Sequence, residues 1–117
     1  MERLLVVEHN RLLGEGLALL LEWQTGLSSI HARSLAEAMG VLEEVNHKLA
    51  CIIVDLDLPD GEGNELLKEL DGIPVLALIK GRSLQRRAEA MGLGADEVLR
   101  TGSVEKIAAA MERLIGH

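Results

Sequence analysis

Short apolar runs alternate along this chain with longer segments in which apolar residues recur every three or four positions. Brief runs rich in Val, Ile and Leu are typical of buried strands. We predict five strands, at residues 4–7, 27–30, 51–54, 75–79 and 97–99. The segments between them predict five helices with these apolar faces: Leu13, Gly16, Leu17, Leu20; Leu35, Ala38, Met39, Leu42; Leu66, Leu67, Leu70; Leu84, Ala88, Met91; and Val104, Ile107, Ala108, Met111, Ile115.

The regular alternation of strand and helix determines the predicted fold class. Right-handed crossovers place helices on both faces of a parallel sheet, whose strands are then apolar throughout. We predict an α/β fold, a flavodoxin-like (βα)5 doubly wound parallel sheet of five strands in the order 2-1-3-4-5, as one domain over residues 1–117. Ser34 and Glu37 form a capping-box pattern that predicts the start of the second helix.

Composition and charge argue against several classes of function. The net charge of -7 argues against direct nucleic-acid binding, and no apolar run approaches the roughly 20 residues that span a membrane. The start of the chain lacks a signal-peptide pattern, so we expect a cytoplasmic protein. The single cysteine, Cys51, and the single aromatic residue, Trp23, are interpreted as packing residues, as are Met39, Met91 and Met111.

Candidate chemistry concentrates where two predicted strands end. Glu8 follows the first strand, and Asp55 and Asp57 follow the third. Ligands of such sheets bind at the carboxyl ends of the strands, near the switch in strand order. Carboxylates gathered there repel one another unless a cation or a proton intervenes, so a hard divalent ion is a candidate ligand.

Four sequence runs, LLVVEHN, VDLDLPDGEG, PVLALIK and GADEVLR, resemble in order and spacing the receiver domain of two-component response regulators. The resemblance covers nearly the whole chain. It implies that Asp55 is the phosphoacceptor and that Mg²⁺ is held by Glu8, His9, Asp55 and the backbone carbonyl of Asp57. It also implies an output and dimer face on the fourth helix, fifth strand and fifth helix.

This sequence departs from the family pattern at the residues that handle the phosphoryl group. His9 replaces an acidic metal ligand, and an imidazole is a poor ligand for Mg²⁺. Ile79 stands where the family has a hydroxyl, and Thr101 stands where it has a lysine. Val98 occupies the position of the switching aromatic residue. We therefore expect weak or absent Mg²⁺ binding and weak or absent phosphorylation of Asp55.

Nearby cations offer partial compensation. Lys80 follows the missing hydroxyl and Arg100 precedes the missing lysine; we favour Lys80 because it lies on a loop, whereas Arg100 should point away from the side of Thr101. We expect the Asp57 carboxylate to face solvent. For Asp55 two interpretations stay open, a phosphoacceptor and a carboxylate that only binds local backbone N–H groups.

The resulting hypothesis is an atypical receiver domain that is not an enzyme and acts through protein contacts. Its partners would be a histidine kinase or another signalling protein, and a second copy or an output domain at the predicted face. The first alternative is a phosphoaccepting receiver that uses Glu8 and Asp55 with Lys80. A less favoured alternative is a flavin or nucleotide carrier, which the charged, bulky segment EHNRLL after the first strand opposes.

Overall fold

A computed structural model describes residues 2–45, 48–102 and 104–115, so the outer ends of the predicted 1–117 domain, residues 1, 116 and 117, lie outside the described residues. Its main sheet contains five strands: β1 (Arg3–Val7), β2 (Ser29–Ala32), β3 (Leu49–Asp55), β4 (Val75–Ile79) and β5 (Glu97–Arg100). Five helices alternate with them: α1 (Arg11–Thr25), α2 (Leu35–Glu44), α3 (Asn64–Leu67), α4 (Leu84–Gly92) and α5 (Val104–Ile115). A two-residue hairpin, Asp57–Leu58 against Gly61–Glu62, follows β3.

The strand order is β2-β1-β3-β4-β5 and every neighbouring pair is parallel, which confirms the predicted topology. The switch in order lies between β1 and β3, so the carboxyl ends of these strands meet at one edge of the sheet.

Two apolar layers cover the sheet. On one face α1 and α5 contribute Leu17, Leu21, Ile107 and Met111, and on the other α2, α3 and α4 cover a larger cluster. Cys51 is buried, and its sulfur lies 3.6 Å from the sulfur of Met111. This confirms its packing role. Within residues 2–45, 48–102 and 104–115, no helix is both long and apolar enough to cross a membrane.

The second strand lies two residues later in the chain than predicted. Pairing with β1 aligns Leu4 with Ser29 and Val7 with Ala32, so β2 extends as far as its neighbour does. Residues 27 and 28 instead connect α1 to the sheet, after Gly26 ends the helix at a φ of 75°. Local composition could not show this, because the register of a strand is chosen by its partner.

Predictions of packing were wrong in α1, α4 and α5. Gly16 and Val104, assigned to the apolar faces of α1 and α5, are exposed. Trp23 is 85% exposed, and the predicted apolar face of α4 points outward, with Leu84 79% and Met91 47% exposed. In α4 the buried residue is Ala90. This nine-residue helix has few apolar residues. The way α4 packs on the sheet buries the small side chain of Ala90 instead of the larger ones.

Side chains cap the first two helices, and the second begins where the sequence predicts. The Asn10 side chain accepts a hydrogen bond from the N–H of Leu13 (3.0 Å), and Ser34 accepts one from the N–H of Glu37 (3.1 Å). The Glu37 carboxylate, however, accepts from the N–H of Arg33 rather than of Ser34, so only half of the predicted capping box forms.

Candidate functional site

Two acidic residues are buried at the carboxyl edge of the sheet. Glu8 directly follows β1 and is 4% exposed, and Asp55 ends β3 and is 2% exposed. Carboxylates are seldom this buried unless they are paired or functional. The structure therefore brings together the two strand ends that the sequence selected.

Glu8 has one satisfied and one unsatisfied carboxylate oxygen. Its Oε2 accepts a hydrogen bond from the backbone N–H of Asn10 (2.9 Å), whereas Oε1 is buried without a partner. The backbone carbonyl of Glu8 lies 2.8 Å from Nε2 of His31, which donates because a carbonyl only accepts. Gly14 makes room for this imidazole, since a Cβ at Gly14 would lie 2.1 Å from Nε2.

Asp55 is held rigidly at the end of β3. Its Oδ1 accepts a hydrogen bond from the N–H of Asp57 (2.9 Å). Gly63 packs so closely on the strand end that a Cβ there would lie 2.9 Å from the Asp55 carbonyl oxygen. Burial raises the pKa of Asp55 from 3.8 to about 6, the bond from Asp57 opposes that rise, and the charge of Glu8 adds to it.

The prediction that the Asp57 carboxylate faces solvent was wrong. Arg86, in the first turn of α4, places its two terminal nitrogens 2.9 Å from Oδ1 and 3.3 Å from Oδ2 of Asp57. Both side chains are about two thirds buried, at 28% and 33% exposure. Such a two-pronged guanidinium–carboxylate pair is strong and geometrically specific, so α4 is tied directly to the segment after β3.

The cations considered from the sequence lie in different places. Lys80 is exposed after β4, and its charge opposes the rise in the pKa of Asp55. Arg100 and Thr101 instead line an open cavity of about 430 Å³ together with Arg87 and Lys106, between α4, β5 and α5. The charge of Lys80 thus acts on Asp55, and Lys80 remains the favoured candidate of the two.

Comparison with known proteins identifies the family of this chain. A family model described as the response regulator receiver domain matches residues 4–111. The chain belongs to the response regulator receiver domain family. It is thus a signalling module of two-component systems.

Two curated relatives are transcriptional regulators. The KDP operon transcriptional regulatory protein KdpE of Escherichia coli (strain K12) is 32% identical over 102 residues, which are 85% of this chain and 44% of that protein. The transcriptional regulatory protein PmrA of Pectobacterium parmentieri is 35% identical over 101 residues, 83% of this chain and 44% of that protein. The chain thus spans less than half the length of these relatives.

Solved receiver domains share the fold. The non-phosphorylated receiver domain of HemR from Leptospira biflexa matches with a TM-score of 0.87 at 28% identity, covering 100% of this chain and 96% of that one. The beryllofluoride-activated NtrC4 receiver domain dimer gives 0.86 at 25% identity, covering 98% and 97%. A response regulator from Burkholderia pseudomallei with a phosphorylated aspartic acid, calcium ion and citrate gives 0.80 at 25% identity, covering 97% and 72%.

Oxygen atoms at this edge of the sheet suit a hard divalent cation. The unpartnered Oε1 of Glu8 and the carboxylate of Asp55 offer the oxygen ligands that Mg²⁺ prefers. The predicted cluster of three carboxylates does not form a metal site, because no three Asp, Glu, His or Cys residues of the described chain converge on one point. Asp57 is bound to Arg86, and His9 is exposed.

Reasoning from the sequence missed Arg86 as a residue of this site. Its charge alone gave no indication of a partner 29 positions earlier in the chain. His31 was missed as well. A polar residue in an apolar strand, together with a glycine inside a helix at Gly14, could have indicated this contact.

Proposed function

We propose that this receiver domain is atypical and acts mainly through protein contacts, with phosphorylation of Asp55 weak or absent. The supporting observation is the Arg86–Asp57 ion pair, which already joins α4 to the end of β3 without a phosphoryl group. Phosphoryl transfer depends on cations that cancel charge on the transferred oxygens. Here Ile79 is fully buried and apolar, and Arg86 is bound by a carboxylate.

The proposal includes the setting in which this domain works. We propose a single cytoplasmic domain without enzymatic activity of its own, whose partners are a histidine kinase or another signalling protein. A second copy or an output domain would bind the surface of α4, β5 and α5, where Leu84, Met91 and Val104 are exposed. The net charge of -7 argues against direct binding of nucleic acid by this chain.

Mg²⁺ would be held by Glu8, Asp55 and the backbone carbonyl of Asp57, and when bound it would neutralise charge at the acceptor. Other groups of the chain orient these ligands. The N–H of Asp57 orients Asp55, and His31 holds the backbone carbonyl of Glu8. With its pKa raised by burial to about 6, Asp55 is mostly ionised at neutral pH, with roughly a tenth of the population protonated.

A second candidate function is a phosphoaccepting receiver that uses Glu8 and Asp55 with Lys80. The observation in its favour is the charge of Lys80, which lowers the pKa of Asp55 from across the site. The flexible stem of an exposed lysine could approach a phosphoryl oxygen that Asp55 carries. No comparison favours the flavin or nucleotide carrier.

Intact mass and amide NMR shifts after incubation with Mg²⁺ and acetyl phosphate separate the two candidates. We expect no phosphorylated species of the parent chain and none of Asp55→Asn. The variant Thr101→Lys, which restores the family's cation, should gain a phosphorylated species that the double variant with Asp55→Asn lacks. Efficient phosphorylation of the parent chain that is lost in Lys80→Gln would instead establish the second candidate.

A further inference from the structure

Helix α1 carries an exposed apolar stripe that lies outside the surface of α4, β5 and α5. Leu12, Leu19 and Trp23 are 76%, 68% and 85% exposed, and a Cβ at Gly16 would meet nothing within 4 Å. The spacings of four, three and four residues keep these positions on one face of the helix, as in the seam of a coiled coil. We call Leu12, Gly16, Leu19 and Trp23 the α1 seam.

The α1 seam is a firm surface. The opposite side of α1 buries Leu17 and Leu21 against the sheet and α5. Gln24, one residue beyond the seam, donates a hydrogen bond to the carbonyl of Ala108 in α5 (2.8 Å). The helix is thus fixed to the core, and the one aromatic side chain of the protein stands on its outer face. Apolar residues aligned in this way on a soluble domain indicate an interaction surface.

The order of side-chain sizes along the seam is self-complementary. When two α1 helices lie antiparallel about a two-fold axis midway between Gly16 and Leu19, Leu12 faces Trp23 of the other copy and Leu19 faces Gly16. Each large side chain then meets a smaller one or the open space above a glycine. Two-fold dimers require this property, since the same patch serves on both copies. We propose that the α1 seam binds a second copy of this chain in this antiparallel register.

The contact area indicates a weak dimer. A buried aromatic side chain contributes roughly 150–250 Å², and adding two leucines gives about 400 Å² per copy, half of the 800 Å² or so of a standard interface. The Arg11–Glu15 ion pair (3.6 Å) lies beside the seam with both side chains more than half exposed, so it can stay hydrated at the rim. We therefore expect a dissociation constant on the order of 100 µM.

Sedimentation velocity and Trp23 fluorescence test the dimer across protein concentrations from about 5 µM to about 1 mM, a range that brackets this constant. We expect the average mass to rise from 12.7 kDa toward twice that value, with a blue shift of Trp23 emission as it leaves water. Leu19→Glu should remain monomeric at all concentrations, and so should Trp23→Arg. Gly40→Glu is the control, because Gly40 is exposed on α2, a Cβ there meets nothing within 4 Å, and α2 covers the other face of the sheet; this variant should dimerise like the parent chain.

Disulfide trapping tests the register. An equimolar mixture of Gly16→Cys and Leu19→Cys should form a mixed disulfide, identified by its mass. Leu12→Cys alone should form none, since its two copies lie 11 residues apart along the axis, about 16 Å. Cys51 does not interfere, because it is buried and its thiol pKa is raised to about 12.

Three results would overturn the proposal. The parent chain could remain at 12.7 kDa up to the highest concentration, in which case the seam serves a different partner. Leu84→Glu could abolish dimerisation while Leu19→Glu does not, which would move the contact to α4. Finally, Leu12→Cys could cross-link efficiently, which would show parallel helices. None of these outcomes depends on whether Asp55 is phosphorylated.

Discussion

Replacing Asp55 with Asn should stabilise this domain, because the carboxylate is held charged in a site that disfavours its charge. Burial raises the pKa of Asp55 from 3.8 to about 6. One pKa unit corresponds to about 1.4 kcal/mol, so the folded state loses at most about 3 kcal/mol when this group ionises. Asn keeps the side-chain oxygen that accepts the N–H of Asp57 and removes the charge.

The sign of this effect follows from the raised pKa. Below the ordinary pKa of 3.8 Asp55 is protonated in both states and contributes nothing, and between 3.8 and about 6 only the unfolded state ionises, so stability falls as pH rises. Above about pH 6 the loss of stability has reached its full value. The variant should therefore gain about 1 kcal/mol near pH 4.5 and about 3 kcal/mol near pH 7.5.

Thermal unfolding in magnesium-free buffer with a chelator measures this difference. For a domain of 117 residues about 3 kcal/mol corresponds to a rise in Tm of about 10 °C. Asp71→Asn, at an exposed carboxylate, is the matched control and should leave Tm nearly unchanged at both pH values. A Tm gain for Asp55→Asn that is the same at both pH values would refute the reasoning, because strain at an ionised carboxylate must grow as that group ionises.

Two further substitutions test other contacts of the site. Arg86→Gln should lower the free energy of unfolding by about 1–2 kcal/mol in urea denaturation, since it removes a partly buried, two-pronged ion pair; an unchanged value, equal to that of the exposed control Arg82→Gln, would show that the pair contributes nothing. Gly14→Ala should cost about 1–3 kcal/mol because the new Cβ displaces His31. Gly40→Ala, in open space inside α2, should instead gain about 0.4–1 kcal/mol, and equal effects of the two alanines would contradict the contact.

The architecture of this protein and the position of its candidate site can be predicted from patterns in the amino-acid sequence. Alternating apolar periods are local properties, and a parallel sheet with helices on both faces leaves few possible strand orders. The carboxyl ends of β1 and β3 then meet by topology, so Glu8 and Asp55 could be placed together from their positions in the sequence. Their burial and the family membership agree with that placement.

The pairing of charges and the burial of apolar faces depend on how the helices pack on the sheet. Arg86 and Asp57 lie 29 residues apart, and the distance between their side chains depends on how α4 rests on the sheet. The same rigid-body placement exposes Leu84 while it buries Ala90. Trp23 remains outside because α1 buries its other side against α5. A periodic pattern shows that a helix has an apolar face, but the contact that this face makes depends on the packing of the other elements.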